Sequence, residues 1–165
     1  MDPLYLFLLQ VGFTTLLMSI AAAWWVMPRL RAMHVQDALS IVLFGGAIRY
    51  MGTMLLHPAL APAPSPDLIA AWGDVAVSVL AIAGILANRA KLPVGRALAW
   101  LYVIVGGADM ALAFVKGLRS GLWASLTGGW TFVVAVFPLV GVTLVLTLLL
   151  LLRPSAGASR VAVAA

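Results

Sequence analysis

Five apolar stretches, each close to twenty residues long, are separated along this chain by short polar or proline-rich segments. They run from about 4 to 27, 38 to 57, 68 to 88, 97 to 115 and 129 to 152. A helix needs roughly 20 mostly apolar residues to cross the hydrocarbon of a bilayer, so the pattern predicts an all-α integral membrane protein built as a bundle of five transmembrane helices. The connectors fit that reading. Residues 28–37 form a short basic loop ending in Asp37, a residue type suited to cap the second helix. Residues 58–67 carry four prolines and are expected to be extended. Asp67 is placed to cap the third helix, residues 89–96 form a tight basic turn, and residues 116–128 form a loop whose Trp123 suits the membrane interface. Pro138 is expected to kink the fifth helix. Residues 1–152 thus read as one bundle, followed by a short disordered cytoplasmic tail over 153–165.

The first stretch resembles a signal peptide at Ala21-Ala22-Ala23, but its flanks differ. The chain starts Met1-Asp2-Pro3 with no positive charge, and the apolar run continues through Trp24 and Trp25 to Met27, which predicts a retained helix. Orientation follows from the basic residues. Arg29, Arg31, Arg89, Lys91, Arg96, Arg153 and Arg160 fall on one side of the expected bundle and Lys116 and Arg119 on the other, which predicts an external N-terminus and a cytoplasmic C-terminus.

Composition narrows the class further. Hydrophobic types make up 64% of the 165 residues and charged types 9%, well outside the range of soluble domains. The formal charge of +5 could suit nucleic acid, but the cations sit beside apolar spans, where they orient a chain in a membrane, so no nucleic-acid partner is expected. Richness in Ala, Leu, Val and Gly fits a bacterial inner membrane and a multi-pass protein. The absence of cysteine removes disulfides, thiolate metal sites and cysteine nucleophiles.

Arg49 is the residue that the apolar pattern does not absorb. It lies inside the second stretch, where a permanent charge costs a few kcal/mol and normally faces the bundle interior with a partner. Asp74 and Asp109 are the carboxylates within apolar stretches. At about 1.5 Å per residue, Arg49 lies about 12 Å from the end of its stretch at His57, and Asp74 and Asp109 lie about 10 Å from Asp67 and Lys116. All three therefore share one layer in the outer half of the bilayer, with Gln10 at a similar depth. Gly45 and Gly52 share the Arg49 face; Ala70, Ser78 and Ala81 share that of Asp74; Tyr102, Gly106, Ala113 and Lys116 share that of Asp109. The expected intramembrane polar cluster is Arg49, Asp74, Asp109, Gln10 and Lys116.

Two uses of such a cluster are open. One arginine against two aspartates leaves an excess negative charge, which can take up a proton or a small cation, as a coupled transporter requires. Asp109, on the helix that does not directly follow Arg49, is the expected carrier. Alternatively the charges fix helix register in a non-catalytic subunit of a larger membrane complex. Either role implies the lipid bilayer as a partner and a homo-oligomer or other membrane subunits. Met51, Met54 and His57 have a spacing that could hold Cu(I), although methionines in apolar helices are mostly packing. His34 and His57 lie at opposite ends of the expected bundle and cannot share a haem. Trp24, Trp25, Trp72, Trp123 and Trp130 read as interface anchors. With no glutamate, no cysteine and no long loop, neither an enzyme nor a cofactor is expected.

Overall fold

The computed structural model describes residues 2–56, 68–120 and 130–153, with side chains over 2–53, 72–119 and 133–153. Among these residues the chain is helical, with no strand. Helix α1 spans Pro3–Ala32, α2 spans Val35–Ala47 and continues as a 3-10 helix over Ile48–Leu56, α3 spans Leu68–Arg89, α4 spans Val94–Ser120 and α5 spans Trp130–Leu151. By length and composition, α1 and the segments Trp72–Arg89, Val94–Arg119 and Val133–Leu151 are each apolar enough to cross a membrane. Helices α2, α3, α4 and α5 pack in a cycle, each against the next, and α1 lies outside it against α5.

Several expected boundaries move. The first helix does not stop at Met27. Pro28 lacks an N–H and its ring would strike the carbonyl of Trp24 in a regular helix. The chain instead widens into a π turn over Ala22–Val26, where the Met27 N–H reaches back five residues to the Ala22 carbonyl, and the helix then continues to Ala32. Arg29 donates from Nη1 to the Trp25 carbonyl at 2.6 Å. The basic segment 28–37 is therefore mostly helical. Asp37 does not cap α2. The helix starts earlier, with His34 at the N-cap and no side-chain cap, and Asp37 bonds Lys91 of the α3–α4 turn instead. That hydrogen bond, reinforced by the charge, holds the Asp37 carboxyl below its ordinary range. Helix α4 overruns its expected limits of 97–115 at both ends, so Lys116 lies within the helix and not in a loop. The proline-rich connector with Asp67, the loop with Trp123 and the tail beyond Arg153 lie outside the described residues.

The α3–α4 turn closes with a Schellman pattern. Leu92 N–H donates to Ala87 O and Lys91 N–H to Asn88 O, with Lys91 at φ 57 in the left-handed position that glycine usually takes. Fully buried Asn88 then donates from Nδ2 to both Gly84 O and Gly95 O, at 2.8 and 3.0 Å, pinning the end of α3 to the start of α4.

The interior combines apolar and small polar side chains. Leu39 and Leu43 of α2, Val77 and Ala81 of α3 and Tyr102 of α4 are completely buried. Buried hydroxyls are satisfied by their own helices: Ser40 donates to Gln36 O, Ser78 to Asp74 O and Thr147 to Thr143 O. The outside is apolar, with Leu9, Phe13, Phe44, Leu86, Ile104 and Leu112 all exposed. Polar residues inside and large apolar ones outside invert the soluble pattern.

Two glycines give opposite expectations. A Cβ on Gly12 meets nothing within 4 Å, whereas one on Gly46 would overlap the buried ring of Tyr102. Gly12→Ala should therefore raise stability by about 0.5–1 kcal/mol through helix propensity. Gly46→Ala should lower it by about 1–3 kcal/mol, because overpacking against an immobile ring outweighs that gain. Tyr102→Leu should recover part of the Gly46→Ala loss. Thermal unfolding of the purified chain in mild detergent would rank the variants.

Candidate functional site: a guanidinium shared by two carboxylates

The site begins with the change of helix type after Ala47. An α-helix places Gly45, Arg49 and Gly52 on one face, but in the 3-10 segment each turn takes three residues. The buried positions are accordingly Gly46, Arg49 and Gly52. Gly45 instead lies against Thr143 of α5. The α-helical second span expected over 38–57 is thus half α and half 3-10, and the tighter winding turns Arg49 toward α3 and α4.

Arg49 is 5% exposed and uses all three of its nitrogens. Nε donates to Asp74 Oδ1 at 2.8 Å, Nη1 to the Gly106 carbonyl at 3.0 Å, and Nη2 to Asp109 Oδ2. One side chain therefore links the 3-10 segment, α3 and α4. The aspartate side chains retain 24% and 17% exposure.

Glycines make the approach possible. A Cβ on Gly52 would overlap Asp74 at Oδ2, and one on Gly73 would overlap Asp109 at Oδ1. One on Gly106 would come within 3.3 Å of Arg49 Nη1. Each of the three elements thus supplies one charge and one glycine, and each glycine receives the charged side chain of a neighbour. Each carboxylate gives one oxygen to Arg49 and lays the other over a glycine.

Among the other expected members, Gln10 lies on α1, which packs on α5 outside the cycle that holds the triad. Lys116 is exposed on α4, two turns or about 10 Å along the helix from Asp109. Arg49 bonds neither of them. Of the copper candidates, Met51 is half-buried on the 3-10 segment, while the side chain of Met54 and the whole of His57 lie outside the described residues. Sequence reasoning missed the Gly106 carbonyl and the roles of Gly73 and Gly106 as seats for charges. The available signal was spacing: Gly106 precedes Asp109 by three residues, as Arg49 precedes Gly52, and Gly73 adjoins Asp74.

Removing the guanidinium should be far worse than removing one acceptor. Arg49→Ala leaves two half-buried carboxylates without a counter-charge and should cost up to about 3–5 kcal/mol, the range for breaking a fully buried pair. Asp74→Asn combined with Asp109→Asn should recover part of that loss. Asp109→Asn alone should cost less than Arg49→Ala, because Arg49 keeps Asp74 and Gly106 O. Unfolding midpoints of the mutant cycle in mild detergent would measure the coupling.

Neither a curated protein nor a solved structure matches this chain. A family model does, over residues 6–152, from the second turn of α1 to the end of α5. On that match, the chain belongs to the family described as a domain of unknown function, DUF8737.

Proposed function

We propose that this is a multi-pass membrane protein, of the bacterial inner-membrane type, whose Arg49–Asp74–Asp109 site handles protons or small cations for transport. The carrying observation is stoichiometric. Two carboxylates share one buried guanidinium, so one negative charge is left over, and each carboxylate has an oxygen outside the grasp of Arg49. Such a charge in low dielectric favours occupation by a proton or a cation. Asp109 is the proposed carrier.

Five crossings are part of this reading. Four are the long apolar helices. The other is α2 with its 3-10 continuation: 13 residues at about 1.5 Å and nine at about 2.0 Å reach about 37 Å, more than a hydrocarbon core of about 30 Å. The N-terminus is then external and the C-terminus cytoplasmic. Reporter fusions after Gly95 and Ser155 should be cytoplasmic and one after Pro64 external. A cytoplasmic Pro64 fusion would overturn the orientation.

A second reading is a non-catalytic subunit of a larger membrane complex, with the triad as a structural clamp. Two observations favour it: Arg49 ties three segments together, and α1, held through α5, leaves most of its apolar surface exposed. Flux separates the two readings. In proteoliposomes loaded with a pH-sensitive dye, the wild-type chain should dissipate an imposed proton or cation gradient, and Asp109→Asn should abolish the pH-dependent part while the bundle stays folded. No flux from the wild-type protein would end the transport reading and leave the subunit reading, for which co-purifying partners and stoichiometry in mild detergent are the measurement.

A further inference from the structure

The cations of the turns gather at one end of the bundle. Lys91 bonds Asp37, and Gln36 donates to Leu92 O at 3.5 Å, which brings the start of α2 to the α3–α4 turn. Arg96 donates from Nη2 to Leu151 O at 2.6 Å, which brings the start of α4 to the end of α5. Helix α1 ends at Ala32, three residues before α2 begins. Arg29, Arg31, Arg89, Lys91, Arg96 and Arg153 therefore ring this end. Among the described residues the carboxylate there is Asp37, already held by Lys91.

Two further features distinguish this rim from a merely solvated charged end. Exposed apolar side chains alternate with the cations: Leu92 and Val94 beside Lys91 and Arg96, and Leu152 beside Arg153. In addition, α1 has 30 residues, or about 45 Å, and cannot lie wholly within a hydrocarbon layer of about 30 Å. Its charged last turns belong at headgroup level. Trp24 and Trp25, 72% and 64% exposed, stand one turn below, at the depth where indole rings collect. Arg29 and Arg96 are each fixed by one bond to a carbonyl and keep other N–H groups to offer.

We infer that this rim, in which guanidinium groups alternate with exposed apolar side chains at one end of the bundle, binds the headgroups of anionic phospholipids. A ligand with a phosphate and acyl chains satisfies both parts of the surface at once. The inference rests on the membrane reading and is independent of transport.

The test uses the full chain in vesicles of phosphatidylcholine and phosphatidylglycerol, about four to one. After gentle extraction, the ratio of phosphatidylglycerol to phosphatidylcholine in retained lipid should be roughly fivefold that of the bulk mixture, which is what a single basic contact with an anionic leaflet supplies. The enrichment should fall with added salt and should resist competing inorganic phosphate. Arg31 and Arg89 make no side-chain hydrogen bond or ion pair among the described residues. Arg31→Gln with Arg89→Gln should therefore bring the ratio close to bulk without moving the unfolding midpoint, while Arg119→Gln at the other end should leave it unchanged. A wild-type ratio equal to bulk, displacement by free phosphate, or equal loss from Arg119→Gln overturns the inference. Failure to float with pure phosphatidylcholine vesicles overturns the membrane reading as well, and so differs from a protein that floats but shows no lipid preference.

Discussion

The bundle is organised around a charge that its apolar surroundings cannot solvate. Arg49 is almost completely buried, and a guanidinium in that position needs acceptors for its planar fork of donors. Asp74, Asp109 and the Gly106 carbonyl provide them from two different helices. Once those bonds form, the 3-10 segment, α3 and α4 must meet at one level, and the register of the three is fixed. Apolar packing alone would permit sliding, since Leu, Val and Ala faces are nearly interchangeable along a helix. A directional, charge-assisted bond is not interchangeable.

The change from α to 3-10 winding belongs to the same constraint. In a continuous α-helix the faces of Gly46 and Gly52 diverge, and Tyr102 and Asp74 could not both be seated against them. At three residues per turn, Gly46, Arg49 and Gly52 line up. Tyr102 fits over the first and Asp74 over the last. Runs of 3-10 helix this long are uncommon because their hydrogen bonds are poorer. Here the bonds made by Arg49 and the close approach over two glycines compensate for that weakness.

The rest of the bundle can be built more simply because its buried serine and threonine hydroxyls are satisfied locally. Serine and threonine hydroxyls return to carbonyls of their own helices, and Asn88 closes the α3–α4 turn. Charge pairing inside the bundle is concentrated in the triad, and the remaining described ion pair, between Lys91 and Asp37, lies at an exposed end. The excess negative charge on which the proposed transport role rests is therefore confined to one place.

Sequence alone determined the helical class, since apolar runs of this length have few other solutions. It also pointed to Arg49, Asp74 and Asp109 as one group, because a buried guanidinium must find carboxylates and only two lie within apolar runs. The turn-forming and chain-end features were less legible. Pro28 ordinarily stops a helix, yet a π turn five residues long let α1 continue, and Asp37 had the composition of a cap but bonded Lys91 across the bundle. The second outcome depends on a neighbour far along the chain. Tertiary structure also decided which glycines mattered and the local winding around Arg49: a glycine's role is set by what approaches it, and a helix tightens where a partner on another helix holds its side chain. Periodicity along one segment carries no record of that approach, so the sequence specified the charges that must meet, and the packing of α3 and α4 decided the geometry in which they do.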